Sequence, residues 1–240
     1  MMLRSRTTLF AWLIAIAFIL STILGYVDAF NLVATPPDLP DANMVDRTLG
    51  SSAYLHAIWP VFLWTNLLSG IGFLAAVAFA SNLAAAARIE GGLPTFKSLA
   101  TAGGVIGAIA SIIPIGAAQA KVFVQYCDCG FKETEVVSQL WAQMVANDIA
   151  YWFLQVASVV LAIALVALVR EGRDRVPPLL RTWTYITAAA MALAALLGTT
   201  ELLTPDAVNL LTTAIGVVLI PVWAIWLARS VEATAGVATT

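Results

Sequence analysis

Long apolar runs and short polar interruptions alternate along the whole chain. Six runs stand out, at about 9–31, 54–86, 99–123, 139–169, 180–203 and 207–229. Each is long enough to cross a hydrocarbon core of about 30 Å as a helix. None shows the in–out alternation of a barrel strand. Backbone polar groups must be satisfied within the span, so helices are the remaining architecture. The pattern predicts an all-α, polytopic transmembrane bundle of six helices, forming a single domain over 1–240. Composition agrees: 61% of residues are hydrophobic and 11% charged, a profile that places the chain in a lipid bilayer and not in water.

Charge sets the expected orientation. With both termini inside, the inner side carries Arg4, Arg6, Arg88, Lys97, Arg170, Arg173, Arg175, Arg181 and Arg229. The outer side then carries only Arg47, Lys121 and Lys132. Basic residues in short loops favour the cytoplasm, so N-in and C-in is the expected topology. The segment REGRDRVPPLLR is its strongest marker. Arg4 and Arg6 precede an apolar run that continues through Leu24 without a convincing small-x-small cleavage site, which reads as an uncleaved signal anchor. A net charge of -2 leaves no electrostatic footprint for nucleic acid.

Along the chain, the connection Leu32 to Ser52 is the longest, and PPDLPDANMVDR is expected to lie outside as a loop. YLHAIWPVFLW then opens the second span as an aromatic belt, with Pro60 in its first turns. The second and third spans are rich in Gly and Ala, with Gly103 and Gly107 four apart, a spacing that lets helices approach closely. Pro114 is expected to kink the third span. A very short turn at Pro205 and Asp206 makes the last two spans an expected antiparallel hairpin. LGYVD ends the first span and LGTTE the fifth, an echo too short to establish a transporter-type duplication.

The fourth run is the most informative. Its inner half is plain Val, Leu, Ile and Ala, whereas its outer half sets Asn147, Asp148 and Gln155 among aromatics. An acid within an apolar span marks a functional site by default. With the midpoint near Leu154, Asp148 lies about 9 Å from the bilayer centre. Trp141, Asp148, Trp152 and Gln155, continued by Ser158, share a stripe expected to face other helices. The sharp reading is an ion, proton or ligand site; the bland one is a hydrogen-bonded packing knot.

Other ionisable residues gather in the outer half: Asp28, His56, Lys121 and Glu201, with Gln119 at a similar level. Together they suggest a polar pocket opening outward, with Lys121 or His56 offsetting the acids. The competing reading makes Asp28, His56, Lys121 and Glu201 headgroup-level residues that snorkel to water. His56 is the only histidine, so bis-histidine haem and His-rich zinc sites are excluded. It could be a single axial ligand to haem or chlorophyll, but a solvated interfacial histidine is the commoner case. Cys127 and Cys129 could form a strained disulfide outside the membrane. No second cysteine pair exists to relay electrons, which favours a structural or inert pair over an outer-facing thiol redox enzyme. Phosphate loops, HExxH and GxSxG are absent, and no mid-span lysine in the last two runs could carry a retinal Schiff base.

The basic N-terminus, the LGYVD span end, the long first loop, the small-residue second and third spans and REGRDRVPPLLR resemble those of a large bacterial family of uncharacterised six-span integral membrane proteins. The resemblance implies fold and a cytoplasmic (inner) membrane location, with no activity attached. On these grounds the expected function is a non-enzymatic accessory subunit, or a binder of a small or lipid-like ligand. The alternatives are a proton-coupled carrier using Asp148 and the thiol enzyme. Expected partners are the lipid bilayer and other membrane subunits or further copies of this chain.

Overall fold

A computed structural model of the chain describes residues 2–38, 44–87, 92–126, 133–200 and 205–237. Among the described residues every regular element is helical. The order is α1 (Met2–Ala29), α2 (Met44–Ala57), α3 (Trp59–Ala87), α4 (Pro94–Tyr126), α5 (Glu133–Glu171), α6 (Pro178–Thr200), α7 (Pro205–Ala214), a π-helical turn (Ile215–Leu219) and α8 (Ile220–Val237). α7, the π turn and α8 run on as one rod. Six helical stretches are long and apolar enough to cross a membrane: Arg6–Ala29, Trp59–Leu83, Pro94–Gln119, Trp141–Glu171, Pro178–Thr200 and Leu210–Val231. Their large apolar side chains face outward as freely as inward, as lipid-facing helices do.

Side-chain pairs fix the register. Ser21 Oγ donates to the Thr65 carbonyl (2.9 Å) and Phe18 packs edge-on against Phe73 (5.3 Å), so α1 and α3 are antiparallel. On α4, Gly104 meets Val77 while Gly107 meets Phe73, so α3 and α4 are antiparallel too. At the basic end of the bundle the Glu171 carboxylate accepts from the backbone N–H groups of Thr95 (2.9 Å) and Phe96 (3.1 Å). The last residue of α5 thus caps the first turn of α4, where four N–H groups would otherwise lack partners.

Two expectations change. The connection after α1 is not wholly a loop, because α2 occupies 44–57 and takes Tyr54 to Ala57 out of the second span. The break falls at Ile58, two residues before Pro60, which lacks an N–H and restricts the residue before it. Leu55 of α2 and Ile58 at the break pack against Ala118 of α4. The last two spans do not pack as a close hairpin. The final rod lies chiefly along α1, through Tyr26 and Thr213 hydroxyls and through Gly216 against Thr22. It reaches α6 through two indoles: Trp183 donates to the Leu219 carbonyl (3.4 Å) and Trp223 to Thr184 Oγ1 (3.1 Å). Buried indole N–H groups need such partners. The π turn has an identifiable cause. Pro221 cannot donate to Val217 and its ring crowds that carbonyl, so the helix widens and Ile220 N–H bonds to Ile215 O.

Candidate functional site

A cavity of about 400 Å³ lies in the middle of the bundle, walled by α1, α3, α4, α5, α6 and the π-containing rod. It exists because the rod stands off from α6 and because the facing positions are small: Ala76, Ala100, Ala164, Ala194 and Ala195. Aromatics close its sides, with Phe18 against Phe73 and Phe79 against Trp223 (5.7 Å). No charged side chain lines it among the described residues.

A few polar groups interrupt the apolar wall. Ser21, Thr22 and Ser158 each donate to a backbone carbonyl, leaving their oxygens as acceptors. Tyr151 donates to the Gly198 carbonyl on α6. Gln155 differs from these: its amide makes no hydrogen bond among the described residues, and it is half-buried on the cavity wall. It offers a donor and an acceptor at once. Gly198 makes the room for both residues, since a Cβ there would lie 2.6 Å from the Tyr151 hydroxyl and 3.2 Å from Gln155 Nε2. Gly216, in the π turn, plays the same part toward Thr22 Oγ1 (2.8 Å).

The predicted residues do not assemble into one pocket. Of those described, only Gln155 lines the cavity. Asn147 and Asp148 are exposed on α5, as are Gln119 on α4 and His56 on α2. Asp28 accepts a hydrogen bond from the Tyr54 hydroxyl (2.8 Å), joining the end of α1 to α2. Cys127, Cys129 and Glu201 lie outside the described residues, as does the side chain of Lys121. No three His, Cys, Asp or Glu side chains come together as a metal site among the described residues.

The expected inward stripe of α5 is corrected. Trp141 and Trp152 are 56% and 55% exposed, and Asp148 shares their face; only Gln155 and Ser158 turn toward the cavity. The buried face is Ala150, Ala157 and Ala164, seven apart, with Gly103 of α4 set against Ala157 and Leu161. Close approach through small residues decided the rotation of this helix, not its polar atoms. The turn from α5 to α6 is tight, with Gly172 N–H on Leu168 O (2.8 Å) and Val176 N–H on Gly172 O (3.0 Å), so both helices start at one level. α6 has 23 residues, a rise of roughly 34 Å. Tyr151 of α5 accordingly meets Gly198 of α6 at a matching height. Asp148 lies within the apolar stretch Trp141–Glu171, on its exposed face.

The cavity itself had one readable sequence signal, the proline at 221 inside the last span. Its apolar walls are indistinguishable in sequence from ordinary helix-packing residues. Comparison with family models, curated proteins and solved structures found no match for this chain.

Proposed function

We propose that this is a multi-pass protein of the bacterial cytoplasmic membrane, with both termini cytoplasmic, that binds a small neutral or lipid-like ligand in the central cavity without transforming it. One observation carries the reading: a cavity of about 400 Å³ with apolar walls and a single uncommitted amide, Gln155. Protein interiors hold few voids larger than a water molecule, and apolar voids do not retain water. A cavity of this size and lining is typical of small-molecule sites. The ligand it fits has a hydrocarbon body and one hydroxyl or carbonyl group for Gln155. A carrier built on Asp148 has less support, because that carboxylate is exposed and lies off the cavity.

Organic extraction and mass spectrometry of the purified protein provide the test. The native chain is expected to retain a small molecule enriched over bulk lipid. Ala194→Phe fills the cavity and should abolish that enrichment while the protein stays monodisperse. Gln155→Leu should weaken retention by the cost of an unmade hydrogen bond, about 1–3 kcal/mol. Identical extracts from the native protein and Ala194→Phe would refute the reading.

A further inference from the structure

A second opening, separate from the cavity and nearer the basic end of the bundle, lies where α5 turns into α6. It encloses about 410 Å³ and is lined by Val169, Arg170, Arg173, Pro178, Arg181, Thr182 and Tyr185. Three arginines line it from three local structures: Arg170 in the last turn of α5, Arg173 in the tight turn at 172–176, and Arg181 in the first turn of α6. The backbone bonds Arg175 N–H to Gly172 O (2.9 Å) and Arg181 N–H to Pro177 O (2.9 Å) hold those pieces in place.

Among the described residues neither Glu171 nor Asp174, the acids of this turn, pairs with the three arginines. Glu171 is spent on the backbone of α4, through Thr95 and Phe96, and no acid is among the lining residues. Among the described residues, Arg170, Arg173 and Arg181 form no ion pair. Arg181 is half-buried, so its charge is partly shielded from water. Three arginine forks around one open space match a group with several anionic oxygens, since guanidinium pairs with phosphate through parallel N–H bonds. The other wall is not polar. Val169 and Tyr185 belong to the spanning helices, and Tyr185 is exposed beside Ile186 on the outer surface of α6. The opening is thus cationic at the membrane boundary and apolar along the span.

We propose that Arg170, Arg173 and Arg181 form a binding site for a phosphate group at the basic end of the bundle. An anionic phospholipid headgroup and free inorganic phosphate both carry that chemistry. The apolar wall beside Tyr185 favours the lipid, whose acyl chains can follow α6 along the span. Basic pockets between spanning helices hold acidic headgroups in this way.

Native mass spectrometry of the full chain in detergent, titrated with phosphatidylglycerol, phosphatidylcholine or inorganic phosphate, distinguishes the sources. The expected result is preferential binding of the first phosphatidylglycerol over phosphatidylcholine. Each arginine changed to Gln should weaken that binding by about fivefold, and R170Q/R173Q/R181Q together should remove the preference. R229Q, which carries the same charge change outside the pocket, should keep it. R173Q alone, in an exposed turn, serves if the triple variant fails to fold. Retention of inorganic phosphate with no lipid preference, lost in the same variants, assigns the site to the free anion. A lipid preference that persists in the triple variant, phosphatidylglycerol binding that R173Q leaves unweakened, or no binding of either phosphate source, overturns the proposal.

Discussion

Tyr54 stands on α2, outside the spans, and its hydroxyl donates to Asp28 at the end of α1. Burial, the hydrogen bond to Asp28 and the charge of that carboxylate together push its pKa up to about 12. Each favours the protonated phenol. The sign follows: a raised acid contributes stability that is complete below pH 10, the ordinary value, and is lost as pH rises through about 12. A tyrosinate absorbance titration should show one component near 12 that Tyr54→Phe removes. The same substitution should lower stability by about 1 kcal/mol at neutral pH, because the contact is only partly shielded from water. A full set of tyrosines titrating near the ordinary value would contradict the contact. The place of Asp28 at the end of the first span was legible in the sequence, but its partner was not. Tyr54 reads as one more belt aromatic until Pro60 is seen to cut α2 from α3.

At the scale of elements, close approach of small residues governs the bundle, and α4 shows it most clearly. A Cβ on Gly107 would lie 2.5 to 2.7 Å from three atoms of the Phe73 ring. That ring cannot retreat easily: it is 6% exposed, holds Phe18 edge-on and forms part of the cavity wall. Gly107→Ala should therefore destabilise the protein by about 1–3 kcal/mol through overpacking, read as a lower thermal midpoint in detergent. A Cβ on Gly116, on the same helix, would meet nothing within 4 Å. Gly116→Ala should be neutral or stabilising by up to about 1 kcal/mol, because alanine loses less backbone entropy in a helix. Equal effects at the two positions would mean that propensity, not contact, sets the cost. The glycine-rich spacing was readable as close packing, and the structure uses it inside the chain: Gly103 toward α5, Gly107 toward α3. The rotation and level of α5 were not readable. Its 39 residues exceed the length a membrane requires, and the pattern alone does not say which end projects.

Across the whole molecule, hydropathy was enough to mark six crossing helices, because each run exceeds the length a membrane requires. The cavity was hidden for a physical reason. It arises from how far the last rod stands from α6, and that distance is set by Pro221, Trp183 and Trp223 acting between elements. The distribution of charge is legible at both levels. The antiparallel register brings Arg6, Lys97, Arg170, Arg173, Arg175, Arg181 and Arg229 to one end of the bundle, together with the start of α1 and the end of α8. The opposite end holds α2 and the Tyr54–Asp28 contact. Cationic loops resist translocation, so the arginine-rich end is expected to stay in the cytoplasm. Single cysteines can report this directly in a background where Cys127 and Cys129 are serine. Asp38→Cys precedes α2, and Asp174→Cys lies in the exposed turn between α5 and α6. In intact cells a membrane-impermeant maleimide should modify Asp38→Cys and spare Asp174→Cys until the membrane is opened. Labelling of Asp174→Cys from outside would invert the bundle, and would move the three-arginine opening to the outer leaflet along with it.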